Sequence, residues 1–427
     1  MAAATGTSPT PSASPPPAQG LRRDQRDYRR ATVATLAAGL ASFNAMYLTQ
    51  AMLPTLVGQL GMSPTGSALT VSATTGMLAL CIVPASILSE RFGRGRVLIL
   101  SALLGTLLGL LLPFVASGTT LILLRGLQGA LIAGVPAVAM TWLSEEVDPR
   151  DLGRAMGTYV AGTTVGGLSG RLIPAGVLEF SDWRWAVGLS ALVAVGFAVL
   201  LTILLPKQKH FTPKSIRPRA ELAAMSGHWR NPRLAALFLI AFLAMGTFVS
   251  LYNFLGFRLM EEFGLSEGLV GLVFVLYLAG TWSSARVGSW NDRFGRGTTM
   301  LTAALTMLAA LALSAVPSLV ATLVALLVFT AAFFTIHSSA SGWVGLIATT
   351  HRAEGSSMYL FCYYLGSSLL GWVSGFFFTG LGWHGMLVWL GGILLSLVAV
   401  VAFLARRDVP LDARPAAGAT DPAPDRP

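Results

Sequence analysis

Charge is scarce in this chain. Asp, Glu, Lys and Arg make up 11% of its 427 residues, against roughly 25% in soluble domains, while 54% are hydrophobic. That balance excludes an ordinary soluble fold. Cysteine is nearly missing: Cys81 and Cys362 both lie inside apolar runs, which excludes a disulfide framework and leaves them as small apolar side chains. No Gly-x-x-x-x-Gly-Lys-Ser/Thr stretch, metal-spaced His/Cys cluster or nucleophile–base constellation occurs. The chain is therefore read as no enzyme, with neither cofactor nor metal expected. Acids are also absent from the middle of every apolar run, since all 19 fall in loops, tails or run ends.

What is present is a series of twelve apolar runs, at 32–57, 67–88, 97–115, 119–142, 153–177, 184–206, 233–257, 266–287, 298–316, 318–346, 354–379 and 383–405. Each is long enough to cross a hydrocarbon core of roughly 30 Å as a helix. With the N-terminus placed in the cytoplasm, all but five of the 29 Lys and Arg fall on the cytoplasmic side. The exceptions are Arg184 and Arg258 at external ends, and Arg125, Arg171 and Arg286 within runs. This asymmetry orients membrane spans, so the formal charge of +10 is topological and no nucleic-acid partner is expected. The first run is too long for a cleaved signal peptide. Segments 1–30 and 406–427 are expected to be disordered cytoplasmic ends, rich in Pro, Ser, Ala or clustered charge.

The pentapeptide Arg-Phe-Gly-Arg-Gly occurs at Arg91–Gly95 and again at Arg293–Gly297, 202 positions later. Arg150 and Met156 are matched at the same offset by Arg352 and Met358, and Trp183 by Trp383 at an offset of 200. The chain thus reads as two six-helix units, 31–206 and 233–405, joined by a cytoplasmic linker at 207–232. The fold class is all-α membrane protein, with twelve helices in two pseudo-symmetric bundles.

Several of these residues carry a family resemblance. Gly288-Ser-Trp-Asn-Asp292-Arg293-Phe-Gly-Arg296 and its first copy, Ser89-Glu90-Arg91-Phe92-Gly93-Arg94-Gly95-Arg96, resemble the loop signature of the major facilitator superfamily. In the first copy Ser86 replaces the leading glycine and Glu90 the aspartate. Arg125-Gly-Leu-Gln128-Gly129 resembles the fourth-helix motif of that family, and Gly162-Thr-Thr-Val-Gly166-Gly167-Leu-Ser-Gly170-Arg171 is similar to the fifth helix of YnfM-type bacterial exporters, grouped with drug:proton antiporters. The resemblance spans roughly 31–405. It implies a secondary transporter of small organic molecules in the bacterial cytoplasmic membrane. Such a protein works by alternating access as a monomer among membrane lipids, with protons as the coupling ion and export as the direction. It also implies two cytoplasmic latches: Glu90, with Arg91 and Arg94, against the start of the eleventh helix near Gly355, and Asp292, with Arg293 and Arg296, against the start of the fifth near Gly153. Import of an organic anion, and a non-transporting receptor on the same scaffold, are the competing readings.

Ionised groups within a bilayer cost several kcal/mol, so each needs a reason. Arg125 and Arg171 fall on consecutive antiparallel helices at similar depth in the outer half. Gln128, Thr163, Thr164, Asn44 and Gln50 lie nearby in register. Two intramembrane cations without an intramembrane acid favour an anionic or neutral polar substrate. His337 is a candidate proton relay, with Glu179 as the alternative carboxylate. Tyr252, Asn253, Trp282 and Tyr363 are candidates for the opposite wall. Gly162, Gly166 and Gly170 on the fifth helix, and Ser367, Gly371 and Gly375 on the eleventh, form small-residue faces, read either as close helix packing or as a seam along which the halves slide.

Overall fold

The structure, a computed structural model, describes residues 20–211, 213, 223 and 225–406. Twelve long helices account for nearly all of it. The first half comprises α1 (Arg26–Leu60), α2 (Pro64–Phe92), α3 (Arg94–Phe114), α4 (Gly118–Glu146), α5 (Pro149–Leu178) and α6 (Trp183–Leu204). The second comprises α7 (Pro232–Glu261), α8 (Glu267–Phe294), α9 (Arg296–Leu313), α10 (Leu319–Ile347), α11 (352–381) and α12 (383–405). All except α5 lie in stretches both long and apolar enough to cross a membrane; the glycines, threonines and Arg171 of α5 lower its hydropathy, yet it runs 30 residues.

The helix starts are written in the sequence. Ser63, Ser117, Asp148, Asp182, Asn231 and Ser318 each accept a hydrogen bond from a first-turn N–H, satisfying donors that no helix can satisfy itself. The repeated pentapeptide has a backbone explanation. Gly93 and Gly295 link α2 to α3 and α8 to α9 with φ of 98° and 80° and extended ψ, a conformation open essentially to glycine alone. Gly382 (φ 67°, ψ −165°) separates α11 from α12 in the same way.

Within each half the helices pack as a bundle, and the halves meet along α2–α11 and α5–α8. Both halves begin and end at one face, here the basic face; the opposite is the far face. Five hydrogen bonds between the halves lie between the far face and mid-depth. These join Glu179 to Gly268, Gln50 to Asn253, Thr65 to Thr379, Ser368 to Ser72 and Ser367 to Thr75. The conformation is therefore closed at the far face.

The expected disorder over 1–30 is corrected for residues 20–30. Leu21 pairs with Val147 through backbone hydrogen bonds to Glu146 and Asp148, Arg22 pairs with Asp148 at 3.2 Å, and α1 is helical from Arg26. These contacts fix the segment on the α4–α5 turn. Residues 1–19, 407–427 and, within the 207–232 linker, 212, 214–222 and 224 lie outside the described residues. The start of that linker is held on the first half: the N–H groups of Lys209 and His210 both donate to the buried Glu146, at 2.9 Å.

Candidate functional site

Arg125 projects from α4 and is fully buried. Beside it α1 loosens at Leu48–Thr49 into a 3-10 turn at Gln50–Met52, and the guanidinium donates to carbonyls of the preceding turn. Nη1 reaches Ala45 O at 2.6 Å and Nη2 reaches Met46 O, while Nε reaches Thr70 O on α2 at 3.3 Å. Gln128 accepts from Arg125 with its oxygen and donates to Gly105 O of α3 at 2.9 Å. A guanidinium has five N–H groups, and these partners engage most of them. In this conformation Arg125 is a clamp joining α1, α2 and α4, extended to α3 through Gln128. The sequence placed it beside a substrate; the structure places it among backbone carbonyls.

Arg171 on α5 is different. Its Nε donates to Gln50 Oε1 at 2.7 Å and its Nη1 to Gly167 O at 2.6 Å. Aromatic faces surround the guanidinium, with Tyr47 at 4.0 Å, Tyr277 at 4.7 Å and Phe274 at 5.1 Å from its carbon. No carboxylate pairs with it among the described residues. Tyr47 belongs to the first half, and Phe274 and Tyr277 to the second. Gln50 then donates to Asn253 Oδ1 on α7 at 2.7 Å, so a polar chain runs Arg171–Gln50–Asn253 across the junction. The Asn253 amide nitrogen and the Tyr277 hydroxyl are buried without a hydrogen-bond partner among the described residues, and such groups are destabilising unless something pairs with them. Sequence reasoning missed Tyr47, Phe274 and Tyr277; their signal was only an aromatic pair at i, i+3 on α8.

The remaining candidates separate. The Asn44 amide bridges Ser169 on α5 and Ser190 on α6, both at 3.0 Å, inside the first half. Thr163 and Thr164 both bond the Val160 carbonyl of their own helix and do not join Arg171. His337 bonds the Tyr359 hydroxyl at 3.0 Å and lies 4.6 Å from the Tyr363 ring, within an aromatic column that continues through Phe333 to Phe248. Tyr252 bonds Thr330 at 2.7 Å and packs edge-on to Tyr277. Trp282 is corrected: it is exposed on the outer surface of α8 and lines a groove with α9 and α10.

In this far-face-closed conformation the latch arginines contact groups of their own half. Glu90 lies 3.6 Å from Arg94, whose Nε also reaches Glu145 at 2.6 Å, all within the first half. Gly355 faces Ala348 and His228 of its own half. Asp292 is exposed without an ion pair among the described residues, and the space beside Gly153 is open. Arg91 lies over the Phe92 ring and Arg293 over the Phe294 ring, whereas Arg296 approaches Gly342 on α10.

The sliding seam is corrected on α5. Gly162, Gly166 and Gly170 face the backbone of α1 at Leu36, Leu40 and Asn44, so they set packing inside one half. On α11, Gly375 faces Thr65 of α2, while Gly371 faces Ser72 of α2 and Asn253 of α7; Ser367 bonds Thr75 of α2 at 3.3 Å.

The family model described as Major Facilitator Superfamily matches residues 35–259 and 252–427. The chain is 38% identical to the inner membrane transport protein YnfM of Escherichia coli (strain K12) over 389 residues, 91% of this chain and 92% of that protein. It is 33% identical to YybF of Bacillus subtilis (strain 168), an uncharacterised MFS-type transporter, over 90% of this chain and 96% of the other. Its fold matches an inward-facing, unoccupied bacterial homologue of the human lysosomal transporter Spinster with a TM-score of 0.74 at 15% identity, over 90% of this chain and 98% of that one. Proteins of this kind are transporters and not enzymes. The chain is a multi-pass membrane protein of the major facilitator superfamily.

Proposed function

We propose that this transporter carries small organic compounds bearing a negative group, and that Arg171 receives that group at the junction of the halves. The observation that carries the reading is a buried guanidinium with no acid partner among the described residues, boxed by Tyr47, Phe274 and Tyr277 and tied through Gln50 to the second half. An anion there gains charge-assisted hydrogen bonds, and the unpartnered Asn253 amide and Tyr277 hydroxyl supply further donors. The rings suit an aromatic or alicyclic body. Arg125 acts as the rigid support.

The positive-inside asymmetry supports placing the basic face, with both termini, in the cytoplasm of a bacterial inner membrane. The structure then represents the inward-facing state. Alternating access would rock 31–206 against 233–405 about the junction, with 207–232 as linker, and closing the Glu90 and Asp292 latches would favour the outward-facing state. We read the direction as proton-coupled export by a monomer. The carboxylate placed to respond to external protons is Glu179, because it joins the halves at the far face.

The test is flux in proteoliposomes with panels of aromatic carboxylates, lipophilic cations and neutral analogues, using wild type and Arg171→Met. Carboxylate flux lost in the variant, with its melting temperature retained, supports the reading. Lipophilic-cation flux that survives the substitution overturns it.

A further inference from the structure

The second half carries a groove on its outer surface, remote from Arg171. It has a volume of about 580 Å³ and lies between α8 and α9, with α10 as its floor. Trp282, Trp290 and Phe294 form the α8 wall. Its hydroxyls do not make it polar: Thr302, Thr306, Thr335 and Ser283 each bond a carbonyl of their own helix, leaving methyl and methylene groups to face the groove. It opens in the half of the bundle nearer the basic face, since α8 ends and α9 begins there.

Two cations lie on its rim. The Arg286 guanidinium sits 4.3 Å from the Trp282 ring and that of Arg293 sits 5.1 Å from the Phe294 ring. Both arginines are exposed, and neither forms an ion pair among the described residues. An intramembrane arginine needs a counter-charge or a route to the interface; Arg286 has only its own helix carbonyl at 3.5 Å and the ring. The internal repeat supplies a control. At the 202-residue offset, Trp282, Arg286 and Trp290 correspond to Leu80, Pro84 and Leu88. The first half therefore keeps one rim arginine, Arg91 on Phe92, and lacks both the tryptophan wall and the second cation.

From this juxtaposition we infer that the α8–α10 groove is a binding site for an anionic phospholipid of the basic-face leaflet. An acyl chain lies in the groove, and the phosphate is held between Arg286 and Arg293. Apolar lining selects a chain, two unneutralised cations select a negative headgroup, and position within the membrane-spanning region selects a lipid over a soluble ligand. The groove shares Arg293, a residue of the Asp292 latch, with the transport reading, but not Arg286, Trp282 or Trp290.

The test is native mass spectrometry of the purified full-length protein titrated with phosphatidylglycerol or phosphatidylcholine. Wild type is expected to bind phosphatidylglycerol more tightly. Arg286→Gln and Arg293→Gln should each weaken that binding about fivefold and leave phosphatidylcholine unchanged, whereas Trp282→Ala should weaken both lipids. Because the rim arginines are exposed, each single variant is expected to fold. The inference is overturned if both single variants bind phosphatidylglycerol as wild type does, or if glycerol 3-phosphate displaces the lipid, which would mark a soluble-phosphate site.

Discussion

Substituting Gly166 with alanine should separate α1 from α5. A Cβ at this position would stand 2.7 Å from Leu40 Cα and 2.8 Å from Gly39 O. The nearer contact falls 0.7 Å short of the 3.4 Å at which ordinary van der Waals contact begins. Both neighbours are backbone, so no side-chain rotation relieves them. The helices must move apart along a line that also includes Gly162 and Gly170, where an added Cβ would stand closer still to α1, at 2.4 and 2.5 Å. Overpacking a tight interior destabilises by about 1–3 kcal/mol, which outweighs the gain of roughly 1 kcal/mol in helix propensity on replacing glycine with alanine. Gly176, on the same helix with nothing within 4 Å of its Cβ position, isolates the propensity term. Thermal melts of both variants in detergent give the comparison: Gly166→Ala should melt below wild type and Gly176→Ala at or above it. A Gly166→Ala variant that melts at or above wild type would refute the backbone-contact argument.

Three further outcomes follow. Arg171→Lys keeps the charge but loses the planar fork, so it should retain part of the carboxylate flux that Arg171→Met abolishes; equal flux in the two would remove the charge from the mechanism. Hydrogen bonds from the Ser266 side chain and the Gly268 N–H hold the Glu179 carboxyl below its ordinary 4.5, so the ionised acid favours far-face closure. That contribution is complete above about pH 4.5 and is lost as pH falls through the depressed value. Spin labels at Phe180 and Leu269 should therefore separate on acidification below 4.5, and Glu179→Ala should show the larger separation already at neutral pH. Gly382→Ala should destabilise by about 1–3 kcal/mol through its backbone conformation alone, while Gly380→Ala, helical and uncrowded, should not; equal melting temperatures would contradict this.

The architecture was readable because bilayer crossing demands long apolar runs, and a repeat at a 202-residue offset leaves matching turns. Even α5, whose hydropathy falls short of the other spans, was legible as an apolar run at 153–177. Of the candidate site, Arg125, Arg171, Gln50 and Asn253 were identifiable, because charge or amide in an apolar run is conspicuous. Their partners were not. Tyr47 and Tyr277 look like packing residues on any helix, and only the tertiary fold brings them onto one guanidinium. Depth along a helix gave Arg125 and Arg171 equal standing. What distinguishes them is the loosened turn of α1 beside Arg125, a local departure that no periodicity displays. The glycines of α5 misled for the same reason: spacing reveals a face but not which helix will cover it.

The clamp at Arg125 has a mechanical corollary. Directional bonds to three carbonyls tie α1 and α2 to α4 at mid-depth, whereas from Phe248 to His337 the second half packs ring on ring, a contact with less directional preference. We expect rocking to strain the halves unequally, with the second acting as the spring. Amide hydrogen exchange should then be faster along α8–α10 than along α1–α4, and equal protection would mean that the two halves share the load.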